Sequence, residues 1–336
     1  MIVSCLAGAS EYFGLSSLIT FGSAAMALAL LAATIGQATD ELGQRLPPIL
    51  TGIVQSTLGN LPELFVSIFG LRAGLVQLVQ SSLVGSILAN GLLVLGSAML
   101  AGGLKHGVQK FRADQPRTIT TLFFLGVAAL IVPTLVVQVH SSASSHIQSL
   151  SIAIALMLLA VFAGSMTYTL QAHSRQKALE QRESWPLSNT IFILLLASIL
   201  AALTSDWFIA STSTTIATFH ISESFTGFVI VALAANAVEH TVGVQLALRA
   251  QPDYALAIIL NSLLQIVLAL MPILVILSIF LSPIPFNLVL SPLLIVALAL
   301  AAVLDIVIVF DGEYNWLEGL ILIGLYGIFG ALFWWS

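Results

Sequence analysis

The chain has 336 residues, of which 59% are hydrophobic and only 7% charged. Soluble globular domains carry about 25% charged residues, so water cannot be the main solvent for this surface and a lipid bilayer is the expected partner. The formal net charge of −5, without a basic run, argues against nucleic acid, and the single cysteine, Cys5, excludes an internal disulfide.

Apolar stretches fall, in chain order, at 15–36, 48–71, 76–104, 118–139, 150–171, 187–210, 224–249, 254–281, 289–310 and 316–335. Each suits one transmembrane helix of about 20 residues and exceeds the 9–11 or so of a barrel strand. A helix satisfies its backbone within one segment, as hydrocarbon demands. The sequence therefore predicts an all-α polytopic membrane protein. Residues 1–14 are too short to span and lack the basic region of a signal peptide; they read as the remnant of a leading helix. Two sets of five spans, 15–171 and 187–336, flank a linker at 172–186, where Glu180 and Glu183 alternate with Arg175, Lys177 and Arg182. Alternate loops hold Arg45, Lys105, Lys110, Arg112, Arg117, Arg175, Lys177, Arg182 and Arg249 on one side of the membrane and only Arg72 on the other. The positive-inside rule places the basic set in the cytoplasm. Trp334 and Trp335 then anchor the opposite interface.

The two halves share an internal pattern. Asn60-Leu61-Pro62-Glu63, Leu71-Arg72-Ala73, Gly85-Ser86 and Asn90 in the first answer Asn236-Ala237-Val238-Glu239, Leu248-Arg249-Ala250, Asn261-Ser262 and Gln265 in the second. Both the Asn pair and the Glu pair are 176 residues apart. Five spans per half is an odd number, so the halves are inverted, as in many secondary transporters with a site at the midplane.

Glu63 and Glu239 carry the chemistry. An intramembrane carboxylate is costly and by default faces a polar cavity with a function, although a buried Glu can also only bridge helices. Two carboxylates at one depth resist joint ionisation, and a cation between them reverses that preference. Cation and proton then compete for the same oxygens, which is the basis of exchange. Asn60 and Asn236 lie three residues before each Glu on the same helix face. Asn90 and Gln265 follow on the next helix. Amide oxygens suit a hard cation such as Ca²⁺, which takes six to eight oxygens; interhelical hydrogen bonding is the plainer role for any one of them. Pro62 withdraws a partner from the Leu58 carbonyl, and Gly59 loosens the same turn. His240, beside Glu239, is either a proton relay or a bundle hydrogen bond. Gly85-Ser86 and Gly102-Gly103 read as close-packing residues. Asp305, inside the 289–310 span, has no assigned role.

These residues resemble the Ca²⁺/H⁺ antiporter (CAX) family of the cation/Ca²⁺ exchanger superfamily over nearly the whole chain. The segment GNLPELFVSIFGLRAGLVQLVQSSLVGSILANGLLVLGSAMLAGG at Gly59–Gly103 looks like its first conserved repeat. NAVEH at Asn236–His240, continuing to Gln265 and Pro272, looks like the second; DGEYNWLEG at Asp311–Gly319 is similar to its last signature. Thr39-Asp40-Glu41-Leu42 resembles an acidic turn after the family's second helix. The resemblance implies one leading helix and two inverted five-helix halves, with that first helix truncated or absent here. It implies exchange of cytosolic Ca²⁺ for H⁺ by alternating access, without a cofactor. Glu63 and Glu239 become the shared cation and proton carriers, and the groups around Asn60, Ser86, Asn90, Asn236 and Gln265 become ligands. Ala235 stands where the family usually has Gly, and Asn261-Ser262-Leu263 replaces its Gly-Ser-Ser, so Asn261 is a candidate added ligand that alters cation preference. The acidic linker helix of many members is missing.

Other classes fit less well. A Na⁺/H⁺ or Mn²⁺/H⁺ antiporter would use the same carboxylates. A Na⁺/Ca²⁺ exchanger is disfavoured by amides at Asn90 and Gln265 where the resemblance would need a further acid. A zinc protease needs His-Glu-x-x-His, which Glu239-His240 does not supply, and an aspartyl protease needs a second intramembrane Asp beside Asp305, since Asp206 lies near a span end. A passive channel fits inverted repeats with one carboxylate pair less well. The expected location is a bacterial inner membrane.

Overall fold

A computed structural model describes residues 2–14, 16–43, 45–46, 54, 57–173 and 185–335. It is almost entirely helical. Helix α1 (Ile2–Tyr12) lies against α2 (Ser17–Gly43). Its 11 residues rise about 16 Å at 1.5 Å each, short of a hydrocarbon core, as the sequence anticipates. The first half continues with α3 (Leu61–Arg72), α4 (Val76–His106), α5 (Asp114–Gln138) and α6 (Ile147–His173). The second half runs through α7 (Leu187–Phe219), α8 (Glu223–Ala235), α9 (Ala237–Leu248), α10 (Pro252–Leu281), α11 (Pro292–Val309) and α12 (Trp316–Trp334). Eight of the described helices are long and apolar enough to cross a membrane; α8 and α9, bent by 61° between them, add a ninth if they form one broken span. Residues 174–184 of the expected linker and most of the first part of the 48–71 span lie outside the described residues.

Several spans overrun their apolar stretches. The acidic turn Thr39–Leu42 forms the last turn of α2, and α7 extends to Phe219. Helical hydrogen bonding needs no apolar side chains, so a helix can carry polar residues into the headgroup region. In α7 the hydroxyls of Ser205, Ser211, Thr212 and Thr215 return to carbonyls one turn earlier, which hides their polarity.

The second half repeats the first in inverted orientation, and the packing shows it. Helix α3 lies against α7 while α9 lies against α2; the C-terminal part of α4 meets α9 and α12, while that of α10 meets α3 and α6; α5 meets α10 while α11 meets α4. Helices α2 and α7, which open the two halves, pack along each other. The central helices α4 and α10 are the most buried spans, and Leu88, Leu92, Leu263, Val267 and Met271 between them are fully buried. Many outward apolar side chains remain exposed, among them Leu125, Leu195, Val303 and Ile328, as a lipid solvent permits.

On the Lys/Arg-rich side the halves are fastened together. Gln109–Lys110 (β1) pairs antiparallel with Glu313–Tyr314 (β2). Lys105 Nζ donates to the Leu248 carbonyl at 2.9 Å, completing the C-terminal end of α9 from the other half. The Arg112 backbone N–H donates to Asp253 Oδ1 at 2.7 Å. Burial, and secondarily the Asp253 charge, push the Tyr314 phenol up to about 12. It therefore stays neutral across physiological pH.

The tightest crossing between the halves joins α4 to α8. A Cβ on Gly85 would fall 2.4 Å from the Phe228 carbonyl oxygen, and one on Gly227 would fall 2.4 Å from that of Leu78. In lipid, such backbone approach replaces the hydrophobic drive that helix association has in water. Gly85→Ala and Gly227→Ala are each expected to destabilise the fold by about 1–3 kcal/mol, read as a lower midpoint in thermal unfolding of the detergent-solubilised protein.

Candidate functional site

Both helices that bear the intramembrane glutamates begin in mid-chain rather than at a membrane surface. Helix α3 starts after Asn60 (φ −97°, ψ 17°) and α9 after Asn236 (φ −107°, ψ 27°). As the sequence implies, Pro62 offers no N–H to the Leu58 carbonyl. It occupies the first turn of a new helix, where its missing N–H costs nothing. Glu63 and Glu239 each sit in that first turn, where the helix dipole favours a negative group by up to about 2 kcal/mol when partly buried.

An asparagine just ahead of a helix ordinarily caps it. Neither does so here, since both backbones depart from the extended conformation of a capping residue, and each amide instead reaches into the opposite half. Asn60 Nδ2 donates to Gln265 Oε1 at 3.1 Å. Asn236 Nδ2 donates to Ser86 Oγ at 2.8 Å and to the Ala232 carbonyl at 2.9 Å. Asn90 Nδ2 donates to Asn236 Oδ1 at 3.3 Å and to Ser262 Oγ at 3.1 Å, and Ser262 Oγ donates to Glu239 Oε1 at 3.3 Å. The exchange is reciprocal: the amide following Glu63 binds the asparagine preceding Glu239, and the amide following Glu239 binds the asparagine preceding Glu63.

Glu63 is 2% exposed, and both its oxygens are buried without a hydrogen-bond partner. Ser86 lies close enough to act on it electrostatically without bonding geometry, and the charge of Glu239 reaches it too. Glu239 is half-buried and feels Asp40 at the end of α2. The buried Oδ1 of Asn90 is also unpartnered. Two carboxylates are thus surrounded by neutral oxygens with spare acceptor capacity. Among the described residues, no three His, Cys, Asp or Glu converge on one point, so a cation here must draw on those neutral oxygens.

The structure brings Glu63, Glu239, Asn60, Ser86, Asn90, Asn236 and Gln265 into this cluster. Gly59 and Ala235 lie in the half-buried breaks beside them. His240 Nε2 is buried and has no partner. Asn261 is not brought in: its Nδ2 returns to the Ala257 carbonyl of its own helix at 2.7 Å. Its neighbour Ser262 occupies the place instead. The 176-residue spacing that pairs the glutamates also pairs Ser86 with Ser262 and was the signal that could have singled it out. Sequence gave no sign that each central helix carries a π-helical turn, Ala89–Val94 in α4 and Ile266–Leu270 in α10. These turns begin beside Asn90 and Gln265, where the extra residue re-aims the side chains.

A polytopic bundle of inverted halves, with paired carboxylates at broken helices between them, is the architecture of a secondary transporter rather than an enzyme. The chain belongs to the sodium/calcium exchanger protein family, which matches residues 16–171 and 189–335. It is 31% identical to a Ca²⁺/H⁺ antiporter of Aphanothece halophytica, with 93% of this chain and 89% of that protein covered. It is 32% identical to the Ca²⁺/H⁺ antiporter ChaA of Bacillus subtilis strain 168, with 93% and 91% covered. Its fold matches the structure of native YfkE with a TM-score of 0.87 at 30% identity, covering 99% of this chain and 97% of that one.

Asn236→Ala leaves Ser86 and Asn90 short of a buried partner, at about 1–3 kcal/mol for a stranded group. The loss is expected to exceed that for Asn261→Ala, whose amide serves only its own helix. Thermal unfolding of both variants, with a double-mutant cycle between Asn236 and Ser86, measures this. A coupling near zero would remove the bond from the account.

Proposed function

We propose that this protein exchanges Ca²⁺ for H⁺ across a bacterial plasma membrane by alternating access, with Glu63 and Glu239 as the shared carriers. The observation that carries the reading is the Glu63 carboxylate, buried with both oxygens unpartnered in the same cluster as Glu239. Such a pair needs either protons or a cation. Two carboxylates with the oxygens of Asn60, Asn90, Asn236, Ser86 and Ser262 provide the hard, neutral-plus-anionic set that Ca²⁺ favours. Binding of the cation displaces protons from the carboxyls, and reprotonation on the other side releases it. The names of the bacterial relatives, Ca²⁺/H⁺ antiporters of near-equal length, support the same ions and the same membrane.

Proton and cation occupy the same oxygens, so Ca²⁺ affinity must fall as pH falls through the titration of the pair. Transition between the two access states would move one half against the other about the cluster, and the crossed amides would break and re-form as it does. His240, which follows Glu239 in the chain and has a buried, unpartnered Nε2, is the candidate proton relay. The basic side, including the β1–β2 clasp, is the cytoplasmic one.

The test is cation-driven proton movement in proteoliposomes with an acid interior, adding Ca²⁺, Na⁺, K⁺ and Mn²⁺ separately. Ca²⁺ is expected to collapse the gradient with wild type, while Glu63→Gln and Glu239→Gln give only the protein-free leak although both insert and fold. Collapse by Na⁺ or Mn²⁺ but not Ca²⁺ would retain the exchanger and replace its substrate. Full activity in both glutamine variants would remove the carboxylates from the mechanism.

A further inference from the structure

Asp305 is a second place where an acid is buried without compensation. It lies in α11, four residues before that helix ends at Val309. Its exposure is 0%, and both carboxylate oxygens lack a hydrogen-bond partner. Its neighbour is the backbone of Gly91: a Cβ there would fall 2.7 Å from Asp305 Oδ2 and 3.5 Å from Oδ1. Gly91 thus makes room for the carboxyl group. It belongs to the π-helical turn Ala89–Val94 and directly follows Asn90, the residue that holds Asn236 and Ser262.

Among the described residues, no cation pairs with this acid. Helix α11 packs chiefly against α4, α5 and β2, and lines a cavity with α12, whose Glu318 and Tyr326 bond to Asn315 and to the Phe228 carbonyl. The titratable groups of α4, α5 and β2 nearest this end of α11 are Lys105 and His106 on α4, Asp114 and Arg117 on α5, and Glu313 and Tyr314 on β2, all at the Lys/Arg-rich membrane surface. Lys105 and His106 meet the Leu248 carbonyl, Arg117 donates to the Phe310 carbonyl, and Glu313 faces Lys110. None of them bonds to Asp305. A metal ion would need several more oxygens than one carboxylate beside a glycine. A proton needs none: it removes the charge.

We propose that Asp305 is a third proton-binding site, separate from the Glu63–Glu239 pair and linked to it through the Ala89–Val94 turn. One turn holds Asn90 in the cluster on one side and Gly91 against Asp305 on the other. A change at the cluster that moves the turn changes the surroundings of the Asp305 carboxyl. By linkage, gain or loss of that proton biases the cluster equally. The site takes H⁺, and it loses it to water only where the contact between α11 and the turn opens. The linkage to Ca²⁺ rests on the exchange reading above; the proton site does not.

Infrared difference spectroscopy of the whole protein in lipid tests both parts. The neutral-acid C=O stretch is compared at neutral pH between wild type, Asp305→Asn and Asp305→Glu, before and after adding Ca²⁺. The expected result is a neutral-acid band that disappears in Asp305→Asn, shifts in Asp305→Glu, and moves in wild type when Ca²⁺ is added. Gly91→Ala, which pushes a methyl group at the carboxyl, should displace the same band. Identical neutral-acid bands in wild type and both Asp305 variants would overturn the proton site. A band insensitive to Ca²⁺ in a preparation that transports Ca²⁺ would overturn the linkage. A preparation that transports no Ca²⁺ yet keeps the Asp305 band would sink the exchange reading and sustain the proton site. Should Asp305→Asn fail to fold, Asp305→Glu alone still reports through the shift.

Discussion

Hydrocarbon offers no water to a broken helix. Every N–H and C=O released at a break, and every charge placed there, must find its partner within the protein or within its cargo. In this protein two helices begin in matched sequence context, just ahead of Glu63 and just ahead of Glu239. The structure around them is the consequence. The asparagine at each break does not cap its own helix but reaches into the opposite half, so each break is completed by the other. Neither half could hold its site alone without stranding buried amides.

That mutual completion ties the two halves together at the site. A network that spans two halves and consists of neutral amides and hydroxyls has many near-equivalent arrangements, whereas a salt bridge has few. Hydrogen bonds of 2.8 to 3.3 Å join the two halves across the interface. The glycine crossing of α4 with α8 supplies the rigid part, and the clasp of β1 with β2 joins the ends. Between them, the unpartnered oxygens of Glu63, Asn90 and Asp305 mark where the chain leaves polar capacity unspent. In a lipid-embedded interior such capacity is expensive.

The amino-acid sequence by itself determined the solvent, the helical class, nearly all the spans, the inverted halves and the two glutamates. These are one-dimensional properties. An apolar run of about 20 residues has one stable solution in lipid, and a repeat offset of 176 residues is visible without coordinates. It also supplied most of the surrounding amides, because their types and spacing recur in both halves. Tertiary structure decided the rest. The break at Gly59–Asn60 could not be told from a proline kink, since Pro62 fits either an interrupted helix or the first turn of a new one. Ser262 rather than Asn261 faces Glu239 because adjacent helical residues point about 100° apart, and only packing fixes which of the two is turned inward. Asp305 was visible as an acid in a span, but its neighbour Gly91 lies more than two hundred residues away in the chain. Contacts of that kind arise from how the helices stack, and no local pattern encodes them.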